Sequence, residues 1–228
     1  MSVSEQPEST RPYITPVGLN FFLPIATLIE KLDDLKTRGV NEVQTSPYEN
    51  GYSAAIILLV VALLEAAINT MKHHAANAGY KLTKDDRHAL LFFQRYLVKF
   101  PNFVELSSKA KELFVIRDVI AHSQIWSATI KDDDSGLYLV SAQLTKGYGD
   151  EKYRDVVDET QRKTRLLGLN VFPTRINCAD VKIACKAVAE ILGFLNEHHG
   201  CHIAVLNYHV PFKGEHPRFG DLFKRLDW

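Results

Sequence analysis

Apolar residues recur every three or four positions through most of this chain, which is the spacing of amphipathic helices. One face of the first such segment carries Ile25, Leu28, Ile29, Leu32 and Leu35. Pro24 stands near its start and Gly39 at its end, as helix boundaries commonly do. The run 53–64 (SAAIILLVVALL) is apolar without interruption after Ser53. It predicts a second helix, about 52–76, that is surrounded by the others, because no polar face is left for water.

Two more helices follow. Thr83 and Asp86 have the spacing of a capping box, which opens a third helix, and Pro101 ends it. Asn102 can cap a fourth helix, which we expect to run to about His122.

The period then changes from 3.6 residues to two. The runs IWSATIK and GLYLVSAQLT flank the sequence DDDSG, which predicts a β-hairpin with DDDSG as its turn rather than a metal-binding loop. The mixed charges of residues 145–170 predict an exposed excursion. A last long helix, about 179–198, begins at the capping pair Asn177 and Asp180.

These elements predict a mainly α fold, an up-and-down helical bundle with a β-hairpin inserted before the last bundle helix. We expect a single domain, 19–228, behind a flexible N-terminal tail, 1–18. The hairpin and loop insertion would cover about 124–170. The C-terminal segment, about 201–228, would wrap the bundle.

The composition bears on which classes of function are plausible for the chain. Lys plus Arg and Asp plus Glu both number 27, and the pI is about 7.1, so the chain lacks the positive field of a non-specific nucleic-acid binder. Any nucleic-acid site must be local. The three cysteines, Cys178, Cys185 and Cys201, lack the paired spacing of a zinc ribbon or a disulfide framework, which indicates reduced thiols.

The sequence also predicts no targeting signal. The first residues lack a basic segment followed by an apolar one, so no signal peptide is predicted. The run 53–64 is shorter than the roughly 18 apolar residues that span a bilayer. We therefore expect a cytoplasmic protein with no membrane partner.

The sequence ELFVIRDVIAHSQIW (112–126) places charged residues in an otherwise apolar helix. Arg117 has only apolar neighbours three and four positions away, so no acid at those spacings can pair with it. Asp118 and His122 are four apart and share a face, so a hydrogen bond between them could fix the imidazole tautomer. Arg117 and His122 lie roughly 140° apart around the helix and could converge on one ligand.

Glu65 is a matching anomaly on the second helix, where its neighbours are mostly apolar. A cross-helix pair between Glu65 and Arg117 would resolve both problems, since buried charges are generally paired. Two interpretations stay open. In one, the pair is structural and His122 only interacts with the helix dipole. In the other, Arg117 and His122 form a site.

Other motifs favour structure over chemistry. The sequence HHGCH (198–202) fits no standard zinc-ligand spacing and indicates a frayed helix end. Six basic residues could line an RNA path: Lys146, Lys152, Arg154, Arg162, Lys163 and Arg165. Nearby acids nearly cancel them, which favours a solvated surface. The chain has no Gly-rich phosphate loop, GxSxG or HExxH, so nucleotide hydrolysis, serine esterase and zinc protease chemistry have no support.

The segment IRDVIAHS, at the end of an apolar helix and behind a helix containing ALLEAAIN, resembles the HEPN family. That family's signature is an Arg, four to six residues and then a His, commonly with Asn or Asp directly after the Arg. The resemblance covers about 19–122 and 179–199, with Arg117, Asp118 and His122 at the motif positions. It implies a bundle that dimerises so that the two motifs face each other.

Many HEPN proteins are metal-independent RNases of toxin–antitoxin or phage-defence systems, and others only bind. The resemblance implies an endoribonuclease in which Arg117 holds the scissile phosphate and His122 moves protons. Asp118 would orient them, with Glu65 and Ser123 in support. No cofactor or metal is expected.

The implied partners are an RNA substrate, a second copy of the chain, and an antitoxin or other regulatory protein. Toxins modified by a nucleotidyltransferase antitoxin have a Tyr two positions after the His, where this chain has Gln124, which weakens that choice of antitoxin. The alternatives are a catalytically inactive module that binds RNA or a protein, and a purely structural bundle.

Overall fold

A computed structural model of the protein describes residues 19–35, 43–100, 103–122, 126–133, 136–144, 151–199 and 205–226. Over these residues the chain is mainly helical, with two small antiparallel hairpins. The helices are α1 (Leu19–Asp33), α2 (Pro47–Asn77), α3 (Ala89–Leu97), α4 (Phe103–Ala121), α5 (Glu151–Val156), α6 (Cys178–His199) and α7 (Phe219–Lys224). The strands are β1 (Trp126–Asp133), β2 (Gly136–Leu144), β3 (Val157–Asp158) and β4 (Lys163–Thr164).

Helix α2 is the centre of the core, and α1, α3, α4 and α6 all contact it. Its inward residues, such as Ile56, Val60 and Leu64, are fully buried. The prediction that the helix is surrounded was too strong, because one strip of it is only half-buried. That strip consists of Ala55, Leu58, Leu59, Ala62, Glu65 and Ala66.

By length and composition α2 could cross a membrane, since an 18-residue window has a mean hydropathy of 2.2. Of that window, 56% is buried inside the protein. The core helix of a soluble bundle passes the same test, so the finding is weak evidence for a membrane. The uninterrupted apolar run stops at Glu65, and counting that run alone underestimates the apolar length of α2.

Long-range hydrogen bonds set the directions of the main helices. Near the start of α2, Glu49 accepts from the backbone N–H of Cys178 at the start of α6 (3.1 Å), and the Asn50 side chain donates to the carbonyl of Ile176 (2.9 Å). The two helices therefore run in the same direction. Lys109 on α4 binds Glu190 on α6 (2.8 Å), and the earlier residue Glu105 lines a cavity with the later residue Glu197, so α4 runs the opposite way.

Several predicted helix boundaries moved: α1 ends at Asp33 rather than Gly39, and α2 begins at Pro47 rather than at about residue 52. Helix α1 begins at Leu19, so Pro24 lies inside the helix and removes one of its hydrogen bonds. The predicted third helix is split. Thr83 and Asp86 do form a capping box, but they cap a 3₁₀ turn (Lys84–Arg87). His88 is extended (φ −89°, ψ 121°), and α3 starts after it.

The predicted hairpin is confirmed by β1 and β2, which pair antiparallel with a bulge between Thr129 and Ile130. The two strands contact mainly each other. At the base of the hairpin the Trp126 ring lies edge-on to Phe172, with ring centroids 6.1 Å apart.

The prediction of an exposed excursion at 145–170 is wrong over its described part, 151–170. Val156 and Val157 are buried and join the core. The carboxylate of Glu112, on α4, accepts the backbone N–H groups of Leu166 (2.7 Å) and Leu167 (2.8 Å). Most of the described charged residues of this segment are exposed, while a few of its apolar residues and the buried Glu112 of α4 hold it to α4.

Asp180 attaches the end of the same segment to α6. Its carboxylate accepts the backbone N–H (2.9 Å) and the side-chain amide (2.9 Å) of Asn170, and the backbone N–H of Asn177 (3.0 Å). Asn177 in turn accepts from the N–H of Ala179 (2.9 Å), as expected for the predicted capping pair. Burial raises the pKa of the Asp180 carboxyl, against the lowering effect of these hydrogen bonds.

The described part of the C-terminal segment covers α1 and α6, since Phe219, Leu222 and Phe223 are buried. The rings of Phe219 and Phe22 lie 4.7 Å apart, and Lys213 binds Asp33. The Asp33 carboxylate raises the pKa of Lys213.

Candidate functional site

The predicted cross-helix pair is present. Arg117, in the last turn and a half of α4, donates from Nη1 to Oε2 of Glu65 on α2, with an N–O distance of 2.6 Å. The apolar positions around Arg117 bury the face of α4 that packs on α2, and they bring the two charged groups together at its edge. The ion pair between Glu65 and Arg117, predicted from two charged residues on apolar faces, is confirmed.

Asp118 is a second partner of Arg117. Its Oδ1 accepts from Nε (3.1 Å) and Nη2 (2.9 Å) of the guanidinium, which also lies 4.9 Å from the centre of the Phe114 ring. This contact was missed, because adjacent residues on a helix do not face each other and only spacings of three and four were considered. A long arginine side chain can nevertheless fold back along the surface to its neighbour.

The cluster lies at the protein surface. The side-chain exposures are 27% for Arg117, 38% for Glu65 and 17% for Asp118. A small ligand could therefore reach the guanidinium from solvent. Two carboxylates face one guanidinium, so these three side chains together have a formal charge of −1.

His122 directly follows the last residue of α4 and is exposed. Its backbone N–H donates to the carbonyl of Asp118 (2.9 Å), which continues the helical pattern by one residue. The hydrogen bond between the side chains of Asp118 and His122 stays a prediction. Ser123 and Gln124 lie outside the described residues.

Arg117 keeps part of its binding capacity. A guanidinium has five N–H groups, and the bonds to Glu65 and Asp118 use three of them. The other two have no partner among the described residues. An arginine held from two sides by carboxylates is fixed in place, with N–H groups left for an external oxygen ligand.

The described residues contain no group of three or more His, Cys, Asp or Glu that could hold a metal ion. Of the sequence HHGCH, residues 200–202 lie outside the description. The His198 ring stacks on Phe194 (4.3 Å between centroids), and its Nδ1 lies 3.0 Å from the Phe194 carbonyl oxygen. These contacts of His198 agree with the prediction that the sequence HHGCH is a helix end rather than a zinc site.

The basic residues considered for an RNA path lie mainly at the surface. Arg154, Lys163 and Arg165 are exposed, whereas Arg162 is half-buried. Lys146 and the Lys152 side chain lie outside the description. The acids predicted to offset these charges are mixed among them, and the predicted solvated surface stays the simpler interpretation.

A cavity of about 550 Å³ between α4 and α6 was not anticipated from the sequence. Glu105, Glu190, Glu197 and Phe194 contribute to its lining. The Lys109 ammonium already joins Glu105 (2.7 Å) to Glu190 (2.8 Å), so two of the three carboxylates are paired. The cavity lies nearer the start of α4, away from Arg117.

Comparison with known proteins gives no match, whether to a protein-family model, to a curated protein or to a solved structure. The resemblance to the HEPN family therefore rests on the motif and on the order of the helices.

Proposed function

We propose that the protein is a metal-independent endoribonuclease of HEPN type, acting at a composite site in which two copies of the chain contribute Arg117 and His122. The observation that carries the proposal is the position of these residues. An exposed imidazole directly follows α4, and five residues earlier a guanidinium is fixed by Glu65 and Asp118 yet partly open to water.

The chemistry needs two proton transfers. One imidazole takes the proton of a ribose 2′-OH while the 2′ oxygen attacks the phosphorus. The bond from phosphorus to the 5′ oxygen breaks, and a second imidazole, already protonated, gives its proton to that oxygen. The products are a 2′,3′-cyclic phosphate and a free 5′-OH. Arg117 offsets the charge that grows on the phosphate oxygens.

A dimer supplies the second imidazole, because one histidine cannot readily act as acid and base in a single event. The half-buried strip on α2 supports this arrangement. Leu58, Leu59 and Ala62 lie on the face of α2 that also carries Glu65, and packing this face on a second copy would complete their burial and bring the two sites together. Asp118 and Glu65 position Arg117, and Ser123 is assigned to the same supporting group.

The second candidate is a catalytically inactive HEPN module that binds RNA or a protein. The observation in its favour is the formal charge of −1 around Arg117, since two carboxylates oppose the approach of a phosphate. In either case we place the protein in the cytoplasm. The active form would serve as a toxin or a phage-defence effector with an antitoxin or other regulator.

The first experiment is RNA cleavage in EDTA. Purified protein is incubated with mixed RNA beside His122→Ala, Arg117→Ala and His216→Ala. His216 is also exposed and lies far along the chain from α4, so it is a matched control. We expect the native protein and His216→Ala to cleave RNA and to leave cyclic phosphate ends. The cleavage rate should fall about 100-fold or more in His122→Ala and Arg117→Ala.

A mixing experiment tests the composite site. His122→Ala protein is added to native protein under conditions where the copies exchange, at constant total concentration. If each site needs both imidazoles, activity falls with the square of the native fraction. A linear fall would contradict the composite site. RNA binding without cleavage by native protein would favour the inactive module, and neither binding nor cleavage would leave a structural role.

A further inference from the structure

Glu65 binds part of the Arg117 guanidinium, the group that binds the RNA phosphate in the proposed function. Its Oε2 lies 2.6 Å from Nη1 of Arg117, while Asp118 holds the opposite edge through Nε and Nη2. The two free N–H groups are therefore on the same Nη nitrogens that these carboxylates already approach. A phosphate bound there would have a carboxylate as its immediate neighbour.

The charge of Glu65 opposes the binding of a phosphate beside it. A phosphodiester brought to Nη would lie roughly 5 Å from the Glu65 carboxylate, where two like charges repel appreciably even at the dielectric constant of a protein surface. Asp118 is different, because it follows Arg117 directly in the chain and accepts from Nε and Nη2 of the guanidinium. Glu65 comes from another helix and can separate from Arg117 without unfolding α4.

We infer that Glu65 competes with RNA phosphate for Arg117 and so keeps the isolated site in a state of low affinity for RNA. This inference rests on the proposed function. Binding of RNA then requires the bond between Glu65 and Nη1 to lengthen or break. Glu65 is a positioning residue that restrains the site, beyond its structural role of pairing a half-buried cation.

The test separates binding from cleavage. The probe is a labelled single-stranded oligonucleotide with 2′-O-methyl groups at every ribose, which lacks the attacking hydroxyl and cannot be cleaved by this route. Binding is measured by fluorescence anisotropy at one fixed salt concentration, since phosphate contacts are salt-dependent. The variants are Glu65→Gln, Glu65→Met and, as a matched control, Glu190→Gln. Glu190 is 45% exposed and also pairs with a cation, Lys109, so its variant removes the same charge elsewhere.

We expect Glu65→Gln to bind the oligonucleotide about fivefold more tightly than native protein, and Glu190→Gln to change affinity less than about twofold. Glu65→Met is the second neutral variant if the Gln variant lacks a native circular dichroism spectrum. Equal or weaker binding by a folded, neutral variant would overturn the inference, as would no binding by any of them. Cleavage of ordinary RNA is measured separately. Tighter binding without cleavage by any variant would uphold the competition and refute the endoribonuclease.

Discussion

Replacing Glu112 by Gln should destabilise the protein although the two side chains are almost the same size. Glu112 is 2% exposed, and each of its carboxylate oxygens accepts one backbone N–H, Oε1 from Leu166 and Oε2 from Leu167. A glutamine has a single acceptor oxygen, so its NH₂ group must face the second backbone N–H. That contact places donor against donor, and the hydrogen bond that remains loses its charge.

The magnitude follows from these two losses. A hydrogen bond to a charged group contributes about 1.5–3 kcal/mol, and a neutral one about 1 kcal/mol. Losing one bond and weakening the other gives roughly 2–5 kcal/mol. Leu166 is 49% exposed, so water can satisfy part of the freed backbone, and we expect about 2 kcal/mol. For a chain of this length that lowers the melting temperature by roughly 4–8 °C.

Two measurements check this expectation. Urea denaturation gives the free energy of unfolding, with Glu105→Gln as the control because Glu105 is 61% exposed and its pair with Lys109 contributes at most about 0.5 kcal/mol. Hydrogen exchange of the Leu166 and Leu167 amides should accelerate in the Glu112 variant. A variant within about 0.5 kcal/mol of native stability, with unchanged exchange at both amides, would refute the reasoning.

Three further predictions concern stability. Burial raises the pKa of Asp180, so between the ordinary aspartate pKa and the raised one the folded protein holds a proton that the unfolded chain releases. The difference in free energy of unfolding between native protein and Asp180→Asn should therefore shrink as pH rises through this window. Urea denaturation at several pH values measures this difference, and an increase with pH would contradict the prediction. The free energy of unfolding of His122→Ala should be within about 0.5 kcal/mol of the native value because the side chain is exposed. Arg117→Ala should be less stable by about 1 kcal/mol because it leaves the two carboxylates without their shared cation. Equal melting temperatures of the two variants would show that the ion pairs of Arg117 contribute nothing to stability. Replacing 127–143 with a short Gly-Ser linker should cost less than about 1 kcal/mol because the hairpin strands contact mainly each other, and loss of a cooperative melting transition would contradict this.

The helical part of the fold was predictable because burial imposes a clear period. Helices α4 and α6 were located to within about two residues at each end, whereas ends of α1, α2 and α3 were missed by five or six residues; α2 was placed at the centre from its apolar run. The errors came from local backbone detail. The sequence shows that Thr83 and Asp86 can form a capping box, but a capping box fits a single 3₁₀ turn as well as a long helix. The extended backbone at His88 depends on how α3 packs, which no local pattern records.

The candidate site was partly predictable for a similar reason. Glu65 and Arg117 are polar residues on apolar faces, and the cost of burying an unpaired charge requires a partner. Glu112 has the same property and is more deeply buried than either, yet its partners are backbone N–H groups 54 and 55 positions away. Backbone partners leave no trace in residue identity. For that reason the attachment of 151–170 to α4 could not be predicted from charge patterns.

The bonds of Glu49 and Asn50 to residues at the start of α6 and just before it also bear on how the chain folds as it is made. Their partners lie 123–129 positions later in the sequence. At about 5–20 residues per second, a ribosome needs roughly 6–25 seconds to add that length. During this interval α2 lacks one of its main packing neighbours, so the apolar surface that α6 covers in the folded protein has to wait for the later part of the chain.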